Sequence, residues 1–261
     1  MPSSDILFYG AIASLLAGFA TGIGALPVFF LKPDAVPRQL LNILLGLAAG
    51  VMLAATSFSL VVPSIEYGTE IYGSSLIGVA ITCLFLFSGG WVLDLIDKSV
   101  PHLHRIMGRE GPPSKMSRVG LFIMAITIHN FPEGMAVGVG FGAGDFGGGL
   151  ALAIGIGIQN MPEGLAVALP LIRDGRSRSF AWLVALATGL VEPIGGLFGA
   201  GLVTLARTVL PAALAFAAGA MLFVISDEII PETHRHGTQR SATYGVIVGF
   251  IIMMALDNLL G

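Results

Sequence analysis

His129-Asn130-Phe131-Pro132-Glu133-Gly134-Met135-Ala136-Val137 is answered thirty residues later by Gln159-Asn160-Met161-Pro162-Glu163-Gly164-Leu165-Ala166-Val167. The two stretches share one frame: an imidazole or amide, an Asn, a helix-breaking Pro, a Glu and a Gly. Each lies inside an apolar run long enough to cross a bilayer, for which about 20 residues suffice. An ionisable side chain in such a run costs roughly 2.5–3.5 kcal/mol on insertion scales. Polar side chains, backbone carbonyls freed by proline and a cavity at bilayer depth are the ingredients of an ion site in a transporter.

The surrounding composition agrees with a membrane setting. Of 261 residues, 55% are hydrophobic and 11% charged, with a mean hydropathy of +0.88. A soluble domain carries about 25% charged residues, so this chain cannot clothe itself in a water-facing surface. A single cysteine, Cys83, excludes an internal disulfide and a thiolate cluster. The first apolar run has no basic residue before it and is too long for a signal-peptide core, so it is expected to stay as a helix. The net charge of −3 says little, because what matters is where the charges fall, and no nucleic-acid partner is expected.

Working outward, apolar runs predict an all-α polytopic protein with eight spans, near 6–31, 39–63, 71–96, 119–143, 147–172, 179–206, 211–231 and 242–260. With that count, 12 of the 13 Lys and Arg residues fall on one side, and only Arg207 on the other. The positive-inside rule then expects both termini outside the cytoplasm, in a plasma (inner) membrane. The long connection 97–118 falls on the cytoplasmic side. It carries His102 and His104, which could collect metal weakly, although a mobile solvated loop is the plainer expectation.

Further echoes flank the motif pair. Ala48-Ala49-Gly50-Val51-Met52-Leu53 in span two matches Ala217-Ala218-Gly219-Ala220-Met221-Leu222 in span seven, and the two runs are expected to end at Pro63 and Pro231. Tyr72-Gly73 matches Tyr244-Gly245, and Ala20-Thr21-Gly22 matches Ala187-Thr188-Gly189. Spans one to three therefore resemble six to eight in the opposite membrane sense, and four and five are inverted copies, giving a 3 + 2 + 3 inverted repeat.

On a helix, residues three and four apart share a face. His129 and Asn130 thus flank Glu133, as Gln159 and Asn160 flank Glu163. Glu192, beside Pro193 in span six, supplies a third acid. Three buried carboxylates repel one another unless protonated or bridged by cations. One imidazole among several oxygens suits a borderline divalent ion, Zn²⁺ first, with Fe²⁺, Mn²⁺, Co²⁺ or Cd²⁺ also accommodated. Taken singly, each of these residues could be glue between membrane helices; the duplicated frame with three acids favours a site. Met52 and Met221 read most simply as packing.

The two motifs resemble the fourth- and fifth-helix signatures of the ZIP (Zrt/Irt-like) metal transporters, and the Gln159-Asn160 form resembles the GufA-like branch. Val191-Glu192-Pro193 and the run from Glu228 through Pro231 and Glu232 to His234 and Arg235 are similar to that branch too. The resemblance implies a binuclear centre: one site from His129, Glu133, Gln159 and Glu163, with Met52 nearby, and another from Asn130, Glu133, Asn160, Glu163 and Glu192. Asn160 stands where relatives can carry Asp, so the second site holds less negative charge. The resemblance also implies import into the cytoplasm, a homodimer, and elevator-like movement of spans one, four, five and six against the rest. Its entrance positions match Glu66, Ser59, Ala55 and Asp257, with Asp227, Glu228, Glu232, His234 and His236 placed to receive metal on release. An intramembrane metal-dependent hydrolase is the alternative from another class, but there is no His-Glu-x-x-His pair and no Gly-x-Ser-x-Gly elbow. A sensor that does not transport is a third reading, which has no need of an inverted repeat.

Overall fold

The computed structural model describes residues 1–32, 36–104, 108–115, 117–233 and 239–260. Among the described residues, eight helices are long and apolar enough to cross a membrane: Ser3–Phe29, Arg38–Tyr72, Ser75–Ser99, Val119–Gly142, Phe146–Arg173, Arg178–Leu205, Arg207–Thr233 and Arg240–Leu260, spans one to eight below. Short polar caps set several starts. Ser117 Oγ accepts from the Gly120 amide, Ser177 Oγ from that of Phe180, and the Asp145 carboxylate from those of Gly147 and Gly148.

The spans sort into two bundles. Spans one, four, five and six pack on one another, most closely one against five, one against six and four against six. Spans two, three, seven and eight form the other bundle, with two against eight and three against seven. The bundles meet where span two crosses five and span seven crosses four. Spans three and eight lie outermost, with 22% and 17% of their most apolar windows buried against 67% for four, five and seven. Their outward residues, among them Leu76, Phe87 and Ile251, suit lipid contact.

Prolines shape three spans in ways the hydropathy pattern hides. Span two does not stop at Pro63: a π-helical segment, Ala55–Val61, precedes it, and the helix resumes as Val62–Tyr72. Proline lacks an N–H and its ring clashes with the carbonyl four residues back, so a widened turn before it lets the helix continue. Span seven uses the same device, with π-helical Ile225–Ile229 followed by Ile230–Thr233. Span six breaks after Gly189 and restarts at Glu192, with Pro193 in its first turn. By contrast, spans four and five run unbroken through Pro132 and Pro162.

The connection after span three corrects the expectation of a solvated loop. His102–His104 pairs antiparallel with Gly108–Glu110, and the hairpin packs against span four. His102 is fully buried.

Candidate functional site

Glycines let the motif helices close on their neighbours. A Cβ on Gly134 would collide with the Glu192 carbonyl of span six, and one on Gly164 with the Thr21 carbonyl of span one. Span four is thereby pressed against six and span five against one, and Glu192 is carried to the level of the motifs.

A cavity of about 50 Å³ opens beside them, lined by His129, Asn130, Glu133 and Glu163 together with Glu228 and Glu232 of span seven. Leu45, Ile126, Ala166, Val167, Val224 and Ile229 form its apolar walls. Along every span that contributes, these residues lie on the side of the motif nearer the basic connections 97–118 and 173–178. On the other side Met52, Ala55, Val137, Phe141, Leu152 and Ile156 are at most 1% exposed. The site therefore opens toward the basic end of the bundle and is packed shut toward the other.

Apolar walls strengthen every charge interaction inside the cavity. Glu133 and Asn130 are each 1% exposed and His129 is 7% exposed. Glu133, Glu163 and Glu192 lie close enough to repel one another. Asn160 Nδ2 donates to Glu192 Oε1 at 2.7 Å and to the Ala17 carbonyl at 2.8 Å, tying spans five, six and one. Among the described residues, Asn160 Oδ1, Glu192 Oε2 and both polar atoms of the Asn130 side chain have no protein hydrogen-bond partner. Buried oxygens left without a donor are costly in a protein interior. Together with the carboxylates and imidazole that line the cavity, they are of the donor types that a borderline divalent cation takes.

The remaining candidates divide. Gln159, Asn160 and Glu192 are fully buried behind the cavity and do not line it. Met52 is likewise buried, in the apolar core. Glu228 reaches the motif directly, its Oε2 3.4 Å from His129 Nδ1, so it belongs to the site itself and not to a solvated helix end. Asp227, one residue earlier, lines a separate groove with Trp91 and Asp94. At the closed end Ser59 Oγ donates to Asp257 Oδ1 at 2.6 Å, while Glu66 on the same span is exposed. His234 and His236 lie outside the described residues.

Sequence reasoning missed a second imidazole cluster. His102 Nδ1 sits 2.9 Å from the Val100 carbonyl, and its Nε2 lies 3.0 Å from Asp97 and 3.5 Å from Glu110. The hydrogen bond to Asp97 leads in raising the His102 pKa to about 9, so the ring holds a proton between two carboxylates at neutral pH. The available signal was Asp97 at the end of span three, turned back toward His102 by Pro101.

The chain matches the family model described as ZIP Zinc transporter over residues 108–257. It is 47% identical over 256 residues to the zinc transporter GufA of Myxococcus xanthus, covering 97% of this chain and 99% of that one. It is 44% identical over 253 residues to the zinc transporter ZIPB of Bordetella bronchiseptica, covering 96% and 81%. It is 35% identical over 268 residues to the zinc transporter ZupT of Chlorobaculum parvum, covering 96% and 97%.

Proposed function

The chain belongs to the ZIP zinc transporter family, a family of membrane transporters and not of enzymes, and from that premise we propose that it carries Zn²⁺ into the cytoplasm through a binuclear site between spans four, five and six. The observation that carries this reading is the cavity in which His129, Asn130, Glu133 and Glu163 face Glu228 and Glu232. The first metal is held by His129, Glu133, Gln159 and Glu163. The second takes the unsatisfied oxygens of Asn130, Asn160 and Glu192, with Glu133 and Glu163 shared. Cd²⁺, Fe²⁺, Mn²⁺ and Co²⁺ compete for the same donors.

The one-sided distribution of Lys and Arg supports an open cavity end in the cytoplasm and both termini outside, in the plasma membrane. The conformation is then inward-facing, with Glu228 and Glu232 receiving the ion as it leaves the motif helices. The separation into two bundles supports an elevator-like movement of spans one, four, five and six against the others. An apolar cavity of about 140 Å³ between spans three and seven and the Phe131–Pro132 face of span four leaves that seam loosely filled. The inverted repeat is supported by the pairings themselves. Exchanging spans one to three with six to eight, and four with five, turns one-on-five into six-on-four and two-on-eight into seven-on-three. The exposed apolar faces of the outer spans are compatible with a homodimer in lipid.

Zinc uptake by the purified protein in proteoliposomes tests the reading. We expect saturable uptake that Glu133→Ala removes while the variant still inserts. Zinc binding with no uptake would favour a sensor and sink the transport reading.

A further inference from the structure

We propose that Pro63 and Pro231 are positioning residues for transport, each acting through the π turn before it: Pro231 holds Glu228 against His129 at the open end, and Pro63 holds Ser59 against Asp257 at the closed end. The proposal rests on the reading that zinc passes through the motif cavity.

Four observations carry it. The described π-helical segments lie in spans two and seven, and both end two residues before a proline. The cause is local, because the ring of Pro63 meets the carbonyl of Ser59 and that of Pro231 the carbonyl of Asp227 in any regular helix. Counting from the shared Ala-Ala-Gly-x-Met-Leu run, Ser59 and Glu228 stand at the same place, each seven residues after its methionine, Met52 or Met221. Both make a polar contact to the neighbouring layer, Ser59 to Asp257 at 2.6 Å and Glu228 to His129 at 3.4 Å.

The geometry gives these contacts their dependence on the turn. A π turn takes one more residue per loop of helix than an α turn, and one residue corresponds to about 100° of rotation. Restoring the α ladder would therefore swing the residues beyond the bulge relative to those before it. Glu228 would leave the cavity wall, and Asp227, which now lines the Trp91–Asp94 groove, would turn toward a different face. Met221 and Val224, before the bulge, would stay packed. The same reasoning in span two separates Ser59 from Asp257 while Met52 and Ala55 remain in the core. The prolines thus set which polar side chain each half of the path presents, one in each half of the membrane.

A double-mutant cycle tests this, with Zn²⁺ uptake in proteoliposomes as the readout and Glu133→Ala run beside it. We expect Pro231→Ala and Glu228→Gln each to slow uptake about tenfold, and the double variant to be no slower than Glu228→Gln alone by more than about twofold. Multiplying effects, near a hundredfold in the pair, or full activity in Glu228→Gln, would overturn the proposal. Normal uptake in Glu133→Ala would instead overturn the site on which it rests. A second readout reports position without transport. His129 and Glu228 meet only at their side-chain tips, too far out for a direct disulfide between cysteines at those positions. In a Cys83→Ser background the pair His129→Cys and Glu228→Cys should therefore be joined by a short bifunctional methanethiosulfonate cross-linker, and adding Pro231→Ala should cut its yield several-fold. An unchanged yield counts against the proposal. If Pro231→Ala fails to accumulate in the membrane, the cycle of Pro63→Ala with Ser59→Ala decides it: effects that fail to multiply support the proposal and effects that multiply overturn it.

Discussion

The two copies of the Pro-Glu-Gly motif have the same frame but different surroundings. In span four the polar face is open, with His129, Asn130 and Glu133 all lining the cavity. In span five only Glu163 does so. Gln159 and Asn160 are sealed behind it, and Asn160 is bound to Glu192 and to the backbone of span one. A device that opens to one side at a time must break the equivalence of its halves. On the proposed transport reading, the asymmetry between the copies is what its inward-facing state would look like. It teaches that motif likeness sets the donors, while the packing of the moment decides which of them meets water.

The largest effect should come from the one residue the copies use alike. Glu133→Ala and Glu163→Ala should each lower zinc uptake about 100-fold or more, beyond the roughly 10–100-fold usual for groups that only support a ligand. Membrane insertion should be kept, as judged by a monodisperse detergent-solubilised peak. If Glu163→Ala keeps substantial activity while Glu133→Ala does not, the two carboxylates are not shared between metals and the copies differ in role as well as exposure.

Next come the glycines, where the copies should again agree. Gly134→Ala and Gly164→Ala each push a methyl into a carbonyl, of Glu192 and of Thr21. Overpacking of this kind costs about 1–3 kcal/mol, and here it also separates the motif from the span that completes the site. Both variants should show a lowered apparent Tm with loss of most uptake. A harmless Gly164→Ala beside a damaging Gly134→Ala would mean that the span one contact is slack and that the resemblance between the halves stops at the sequence.

Much of this was legible beforehand because its causes are local or compositional. Eight apolar runs, a one-sided distribution of Lys and Arg, and a twice-written motif lead to the helical membrane fold and to its family. The grouping of His129 and Asn130 with Glu133, and of Gln159 and Asn160 with Glu163, follows from helical spacing. Three features were hidden. Pro63 read as a stop because hydropathy cannot tell a terminated helix from one that widens by a π turn and resumes. Glu228 read as a solvated release ligand beyond the motif because only the crossing of span seven over span four brings it to His129. His102 read as solvated because two histidines in a polar connection carry no periodicity, and its burial depends on a hairpin whose partner strand supplies Glu110.

A smaller effect should separate the copies. Asn130→Asp adds a carboxylate at the cavity wall, whereas Asn160→Asp adds one in a sealed pocket beside Glu192. The second variant loses its hydrogen bond to Glu192 and sets two buried like charges together. We expect a lowered apparent Tm for Asn160→Asp without metal, a larger recovery on adding Zn²⁺ than for Asn130→Asp, and a changed preference among Zn²⁺, Mn²⁺ and Cd²⁺ in competition assays. Equal thermal behaviour of the two variants would contradict the sealed position of the span five copy.

The smallest effect on transport should come from the imidazole outside both copies, which serves as their control. His129 faces the cavity and one carboxylate of span seven; His102 sits between Asp97 and Glu110 and does not line the motif cavity. Its pKa is raised to about 9 from 6.5. The proton it holds therefore stabilises the hairpin fully below about pH 6.5, and that contribution fades as pH rises through about 9. Trypsin should reach Arg109 slowly at pH 7 and several-fold faster at pH 9.5, after correction for the enzyme's own pH dependence on an unfolded peptide. His102→Gln, which cannot be protonated, should be cut readily at both values, with zinc uptake at pH 7 changed by no more than about twofold. His129→Gln should do the reverse, sparing the hairpin and lowering uptake. If His102→Gln instead removes transport, the hairpin is part of the moving machinery, and the difference between the two motif copies is no longer the only asymmetry that the transport cycle has to explain.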